Sequence, residues 1–363
     1  MIIFNALQTT LSGGIGRYSY ELSKALYSIE NEIKIVIREE DKELFNFAKE
    51  EDLIVIGNIN SGAKRNIYEQ LKLPFLIKKM YPNAIVHYPD SMAPLLSRNK
   101  VVITVHDIAF KTLTDVFTWK TKVWKNFATK LSLKKADKVI AISQYTKQEI
   151  IKYYGNKYEE KVDVIYNGFN DFSNENINLN NVRKEIINLK SKKYVLTVST
   201  ISPRKNIDGL IKAYNELDCK QDYKLVIAGA YGWLYEDVIK LVDDLNLNHN
   251  VMFTGKINDD ELKYLYKNCS LFTYLSFYEG FGLPPLEAMS YGKCCIVSNT
   301  SSLPEVVGDA AIKVDPYNLN EIVMSIKEEL NSKSINSEDI EKNIKRFSWE
   351  ICSRNTREIY NKN

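Results

Sequence analysis

The feature that most restricts this chain is an alternation. Short, nearly continuous apolar runs recur along almost its whole length, and amphipathic stretches separate many of them. The first half holds IIFNAL, IKIVI, LIVIG, AIVHY, VVITV, KVIAIS and VDVIY; the second holds YVLTVS, KLVIAG, VMFTG, LFTYLS, CCIVS and AAIKV. Strands that are apolar throughout, rather than at every second residue, belong in parallel sheets covered on both faces. The intervening stretches supply the cover. In RYSYELSKALYSI, for example, Tyr18, Leu22, Ala25, Leu26 and Ile29 share one helical face. This pattern predicts doubly wound α/β structure. At 363 residues the chain exceeds one ordinary core, so two such Rossmann-like domains are expected.

The seam lies where VDVIYNGF gives way to the Asn-rich DFSNENINLNN, which reads as a polar linker near 168–192. Domains are accordingly expected at 1–170 and 171–344. The closing stretch FSWEICSRNTREIYNKN has a helical pattern with no strand behind it. Residues 345–363 are therefore expected to return to the first domain.

Charge divides along the same seam. Residues 1–170 carry 25 Lys/Arg against 19 Asp/Glu, and the remainder 24 against 27. The excess is too small to indicate a nucleic-acid partner. It is concentrated between Lys111 and Lys138, where residues 119–138 interleave Trp119, Trp124 and Phe127 with lysines. Two readings are open: peripheral contact with an anionic membrane, or a solvated helix with its aromatics turned into the core. No apolar run approaches the roughly 18 residues needed to span a bilayer. Met1–Leu7 is short and lacks the basic start of a secretory leader, so a cytoplasmic protein is expected. The five cysteines, at 219, 269, 294, 295 and 352, show no metal-ligand spacing. They read as reduced packing residues.

Open parallel sheets bind ligands outside the carboxyl ends of their strands, so strand-to-helix junctions carry the functional reading. Two domains facing across a cleft would bring junctions from both together. The first junction is LQTTLSGGIGRYSYEL, where Gly13, Gly14 and Gly16 let backbone amides approach an anion. A plain flexible turn is the alternative, and the spacing is not G-x-G-x-x-G. The second, VVITVHDIAF, delivers His106 to a strand end, where it can donate to a ligand hydroxyl, carry a proton, or simply be structural. His87 is a weaker candidate for the same place, and His249 lies in a polar loop. The third, VSTISPRKNIDGL, sets Arg204 and Lys205 before a helix with Asn206 as its cap, an anion site suited to a diphosphate. The fourth is YEGFGLPPLEAM. Its prolines suit the first turn of a helix, and Glu279 and Glu287 can face one crevice. Glu287 alone would be explained by the helix dipole, but Glu279 would not.

Taken together, SGGIGRY, HDIAF, SQYT, IYNGF, STISPRKN, VIAGAYGW, FTGKI, EGFGLPPLEAM and SSLPEVVGDAA resemble the retaining nucleotide-sugar glycosyltransferases of the GT-B fold, glycosyl transferase group 1 or family 4. Glu279 and Glu287 match that family's Glu-x7-Glu motif. The resemblance implies that domain 1–170 is the acceptor side and domain 171–344 binds the nucleotide-sugar donor, with Glu287 on the nucleotide ribose and Glu279 on the donor sugar. Gly280, Phe281, Gly282 and Leu283 would hold the distal phosphate or sugar, and Arg204 and Lys205 would neutralise the diphosphate. The Gly13–Gly14 loop would close over the donor, His106 would bond a sugar hydroxyl, and Gly255, Lys256 and Ile257 would border the base. Ser199 stands where several relatives carry another phosphate-binding arginine. There is no Asp-x-Asp in the sequence, so metal-independent transfer without a cofactor is expected. The wording around GWLYEDV and PRKN resembles mannosyltransferases using GDP-mannose, with a glycan or lipid-linked acceptor in surface polysaccharide synthesis. A UDP-sugar donor, phosphorolysis or epimerisation on the same fold, and a non-catalytic sugar-nucleotide-binding protein remain the alternatives.

Overall fold

Every apolar run of the sequence becomes a strand, and all pairing is parallel. The computed structural model describes residues 1–10, 14–59, 61–113, 118–332 and 337–362. Gly13 falls outside the described residues. In chain order the elements are β1 (Ile2–Asn5), α1 (Gly14–Ile29), β2 (Ile33–Arg38), β3 (Leu53–Ile56), α2 (Gly62–Leu71), α3 (Leu73–Met80), β4 (Ile85–Tyr88), β5 (Lys100–Val105), α4 (Ala109–Thr112), α5 (Trp119–Lys135), β6 (Lys138–Ala141), α6 (Gln144–Tyr154) and β7 (Val162–Val164). There follow α7 (Lys184–Ile187), β8 (Lys193–Val198), α8 (Ile207–Asn215), β9 (Tyr223–Ala228), α9 (Glu236–Asp244), β10 (Val251–Gly255), α10 (Asp259–Asn268), β11 (Leu271–Tyr274), α11 (Leu283–Ser290), β12 (Cys295–Ser298), α12 (Leu303–Val307), β13 (Ile312–Val314), α13 (Leu319–Asn331), α14 (Ser337–Ile344) and α15 (Trp349–Asn361).

The chain divides into two units: Met1–Gly168 with Phe347–Asn363, and Phe169–Arg346. In the first, the strand order is β3-β2-β1-β4-β5-β6-β7. One face of this sheet is covered by α3, α5 and α6, whose Leu73, Ile77, Leu133 and Ile150 cluster with Ile3, Val86, Ile103 and Val139. Burying each such side chain is worth about 1.5–3 kcal/mol. Phe4, alternating with Ile3 along β1, meets the His87 ring, which in turn meets Tyr360 of α15. Helix α15 packs against α1. Its entry runs close past Gly168, where a β-carbon would lie 2.3 Å from the Trp349 amide nitrogen. Only glycine fits that approach.

The second unit orders its strands β10-β9-β8-β11-β12-β13. Val195, Leu225, Leu271 and Ile296 of the sheet pack against Leu210 and Ile211 of α8, Val238 of α9 and Ile322 of α13. The segment read as a loose linker is instead fastened to this unit. Val182, Ile186 and Leu189 are buried, and Lys263 reaches Glu175 at 2.5 Å. Arg183 grips Glu261 at 2.6 Å and donates to the Thr254 carbonyl at 2.9 Å. A few apolar residues at helical spacing, together with charge partners on α10, outweigh the polar composition that made the segment look unpackable.

In each sheet the strand order reverses once, between β1 and β4 in the first unit and between β8 and β11 in the second. The chain leaves the two neighbouring strand ends in opposite directions there, opening a crevice that nothing from the sheet itself fills.

Candidate functional site

In the second unit the crevice is formed by the segments after β8 and β11. From β8 the chain passes Ser199 into a single 3-10 turn, Pro203–Lys205, then Asn206, which begins α8. Asn206 occupies the cap position but its side chain does not cap. Its backbone is left-handed at φ 53°, and its amide donates to the Pro316 carbonyl at 2.9 Å. The cap expectation is corrected accordingly: Asn206 ties this turn to the loop after β13. That tie orients Arg204 and Lys205 toward the second segment. Lys205 Nζ donates to Glu279 Oε1 at 2.5 Å and to the Tyr274 hydroxyl at 2.8 Å, and Arg204 Nη1 lies 3.9 Å from Glu279 Oε2.

Burial opposes the charge on Glu279, but Lys205 and Arg204 outweigh it and hold the carboxyl below its ordinary range. The site is thus a fixed, fully ionised cluster. The loop carrying Glu279 is clamped from one side: its amide donates to Ser301 Oγ at 3.0 Å, and Ser302 Oγ donates to the carbonyls of Glu279 and Phe281, each at 3.0 Å. Gly280 and Phe281 are buried. Gly282 has φ 103°, and a β-carbon there would meet Leu303 Cδ2 at 2.5 Å. Both backbone sign and space demand glycine, which turns the chain into α11 at Leu283. Glu287, buried a little over one turn into that helix, accepts from the Tyr266 hydroxyl at 2.9 Å.

Beside this cluster, the Ser199 hydroxyl is buried with no hydrogen-bond partner among the described residues. Gly229 approaches its carbonyl so closely that a β-carbon would lie 2.1 Å away. Gly255 ends β10 at φ 64°. Lys256 beyond it is exposed and Ile257 half-buried, and the loop is held by Arg183 through Thr254 and Lys256 carbonyls. Tyr231, exposed, lies against Gly255 and pairs with Tyr235 at 4.9 Å between rings.

In the first unit, His106 follows β5 and is buried at 9% exposure. Its Nε2 faces the Pro89 carbonyl at 3.0 Å. A carbonyl only accepts, so the neutral ring carries its proton on Nε2 and its lone pair on Nδ1. Burial holds the ring's pKa below the ordinary histidine value, against the pull of the Pro89 carbonyl, Asp90 and Asp107. Of the roles the sequence left open, donation to a ligand, proton transfer or packing, the tautomer fixed by Pro89 leaves Nδ1 as an acceptor. Tyr18 packs edge-on against the ring at 4.7 Å. His87 is a correction too. It is fully buried, with Nδ1 2.6 Å from the Tyr360 hydroxyl and Nε2 2.8 Å from Thr104 Oγ1. Both ring nitrogens are spent on joining α15 to the sheet. Burial, with His106 nearby, pushes its pKa down to about 3. Gly14 is the exposed first residue of α1, and His249 is exposed in its loop.

Tyr274, Tyr266, Tyr231 and Ser301–Ser302 were not singled out from sequence. A tyrosine in an apolar strand or helix reads as core packing, and only the fold reveals which hydroxyl meets a charged group. On α5, Trp119, Trp124 and Phe127 are 67%, 60% and 56% exposed, so they do not turn into the core. Among the described residues no helix is long and apolar enough to cross a membrane.

Comparison with known proteins places this geometry. The family model described as Glycosyl transferases group 1 matches residues 180–347, and that described as Glycosyltransferase Family 4 matches residues 12–171. The chain is 30% identical to O-antigen chain mannosyltransferase B of Escherichia coli over 371 residues, covering 96% of this chain and 95% of that protein. It is 35% identical to O-antigen chain mannosyltransferase RfbU of Salmonella typhimurium over 224 residues, covering 61% and 58%. Among solved structures, Anabaena Alr3699/HepE in complex with UDP and glucose superposes with a TM-score of 0.76 at 20% identity, covering 100% of this chain and 99% of that one. The fold is therefore GT-B.

Proposed function

Because the chain belongs to the group 1 glycosyl transferases and is a glycosyltransferase, we propose that it moves mannose from GDP-mannose to a hydroxyl of a glycan or lipid-linked glycan, retaining the α configuration. The observation that carries this reading is the Arg204–Lys205–Glu279 cluster, built around a buried carboxylate at the strand-order reversal of the second unit. A leaving diphosphate gains negative charge as the sugar bond breaks, and cations already fixed in place stabilise that charge without reorganising. Lys205 and Arg204 take the diphosphate, assisted by the amides entering α11 and by the Ser199 hydroxyl. Glu279, anchored by the same lysine, accepts from hydroxyls of the transferring sugar, and Glu287, oriented by Tyr266, accepts from the ribose. Gly255, Lys256 and Ile257 border the base, with Tyr231 beside them as an aromatic surface. His106 accepts a sugar hydroxyl at Nδ1.

Transfer proceeds without a metal, because the two fixed cations occupy the role a divalent ion would play. Mannose as the sugar is supported by the two O-antigen chain mannosyltransferases that match over 96% and 61% of the chain. A UDP-sugar is the second reading, favoured by the UDP bound in the HepE neighbour. A thermal-shift panel of GDP-mannose, UDP-glucose and ADP-glucose, each in excess, decides between them. A ligand at 100 times its Kd stabilises by about 2.7 kcal/mol, and GDP-mannose is expected to give the largest shift. A larger shift with UDP-glucose overturns the donor assignment. NMR of the product's anomeric proton tests retention, and turnover that survives EDTA tests the metal-free route.

The exposed aromatics and lysines of α5 support peripheral contact with anionic lipid, at about 1 kcal/mol per basic residue near the surface. Salt-sensitive co-sedimentation with phosphatidylglycerol vesicles is the expected result. The same sedimentation with and without vesicles ends this part of the proposal.

A further inference from the structure

The sheet of the second unit sets its strand ends in a line. β10 and β13 lie at opposite edges, with β8 and β11 between them. The donor roles proposed for this unit fall at the ends of β10, β8 and β11, and none falls at the β13 edge. The loop that follows β13 carries Tyr317, which is 72% exposed. A solitary exposed side chain is ordinary, but this one is mounted. Its ring stacks on that of Phe277, with centroids 4.7 Å apart and planes 21° apart. Its backbone amide donates to Asp315 Oδ1 at 2.9 Å, and the side-chain amide of Asn206 holds the preceding carbonyl, that of Pro316, at 2.9 Å. Phe277 is half-buried and fixed at both backbone groups. Its amide donates to the Arg204 carbonyl at 2.9 Å, and its carbonyl accepts from Thr300 Oγ1 at 3.2 Å. The stack is thus fastened to the two segments that carry Arg204 and Glu279.

With Phe277 on one face, a ring still so exposed presents its other face to solvent, already held in one orientation. Such preorganisation lowers the entropy lost on binding. The surface that fits is flat, apolar and the size of one ring, with polar groups at its rim. The C–H-bearing face of a pyranose has those properties, and Asp315, Asn318 and Asn320, which flank Tyr317 in the chain, supply polar groups for its hydroxyls. One ring face is too small a patch to hold an acyl chain or a protein surface. A nucleobase also stacks on tyrosine, but the residues assigned to the base end β10, at the opposite edge of the sheet. We propose that Tyr317, backed by Phe277, is a stacking platform in the second unit for a pyranose ring of the glycan that receives the sugar, a ring other than the one transferred. Naming that glycan as the acceptor rests on the glycosyl-transfer reading; the stacking does not.

Saturation-transfer NMR on the full-length protein, without donor, tests the platform with α-1,3-mannotriose, maltotriose and chitotriose as probes. At least one trisaccharide should bind, and Tyr317→Ala should weaken it by about tenfold. Tyr317→Phe keeps the ring face and should bind as the wild type does. Met324→Ala removes another exposed apolar side chain of this unit and should change nothing. Calorimetry with the nucleotide sugar that gives the largest thermal shift should return one Kd for wild type and Tyr317→Ala, because the ring stands outside the donor site. Thermal melts show whether Tyr317→Ala folds. If it does not, the wild type decides: in protein carrying 13C-labelled tyrosine, the Tyr317 ring signal, identified by its absence from Tyr317→Phe, should shift when the trisaccharide is added. The proposal is overturned if no trisaccharide binds, if folded Tyr317→Ala binds as the wild type does, or if that ring signal stays in place. It is equally overturned if Tyr317→Phe or Met324→Ala loses as much as Tyr317→Ala, or if Tyr317→Ala weakens the donor instead of the glycan. Failure of the glycosyl-transfer reading shows itself separately, as absence of donor turnover by a wild-type protein that still binds the trisaccharide.

Discussion

The two sheets follow one topological rule and arrive at opposite electrostatics. Each is parallel, each reverses its strand order once, and each opens a crevice at that reversal. In the second unit the crevice is ionic, with Lys205 and Arg204 against Glu279. In the first unit burial lowers the pKa of both His87 and His106, and the crevice is lined by amides, a tyrosine hydroxyl and two carboxylates. Topology thus decides where a ligand can sit, and side-chain chemistry decides which part of a reaction can be served there. A charged leaving group needs fixed cations, and the amides, hydroxyl and carboxylates that line the first crevice do not supply them.

The largest expected effect isolates the ionic crevice. Lys205→Ala leaves Glu279 with Arg204 at 3.9 Å as its remaining cation, and breaking a buried ion pair costs about 3–5 kcal/mol. Transfer kcat/KM should fall by at least about a hundredfold. An unchanged kcat/KM would remove Lys205 from the site and dissolve the contrast between the units.

Acid should separate the two units next. His87 stays neutral down to about 3 in the fold, but takes a proton near 6.5 in the unfolded chain. Between those values the unfolded state binds the extra proton. Stability is therefore whole above about pH 6.5 and falls as pH drops toward 3, by up to ~1.4 kcal/mol per pH unit. Glu279 and Glu261 of the second unit titrate below the ordinary carboxylate value of 4.5, so their contribution is lost only at lower pH. Hydrogen exchange followed by mass spectrometry at pH 7, 6 and 5 should show protection in β1, β4 and β5 falling before that in β8 and β11. Parallel loss in both units would break the comparison.

A smaller test stays within the ionic crevice. Tyr274→Phe removes one hydroxyl from Lys205 and should cost about 1–2 kcal/mol in donor binding, read as a shifted donor Kd by calorimetry. The smallest lies outside both crevices. Trp124→Ala on exposed α5 should change melting stability by no more than about 0.5 kcal/mol, whereas Leu133→Ala on the buried side of the same helix should cost about 2–5 kcal/mol. A large loss at Trp124 would mean that its ring is packed after all.

Much of the fold was legible because a parallel strand buried on both faces needs an apolar residue at nearly every position. That requirement leaves a mark on local sequence, and each apolar run became a strand. The second crevice was legible for a similar reason. Glycine and proline punctuate sharp turns, and charged residues beside them, such as Arg204, Lys205 and Glu279, have few purely structural explanations. The segment 169–192 was misjudged because its anchors, Arg183 to Glu261 and Lys263 to Glu175, span 78 and 88 residues. His87 misled for the same reason: its partner Tyr360 lies 273 residues away.

By itself, then, the sequence determined the two parallel sheets, the chemistry at their strand ends and the identity of the charged residues that serve the second crevice. Only the tertiary structure decided which partners those groups meet: that Lys205 is shared between Glu279 and Tyr274, that Pro89 fixes the His106 tautomer, and that Tyr88 ends buried beside Glu69 and Asp90. Periodicity is a local property and is written into neighbouring residues. Hydrogen-bond partnership and burial depend on segments far apart in the chain, and those distances are set only when the sheets assemble.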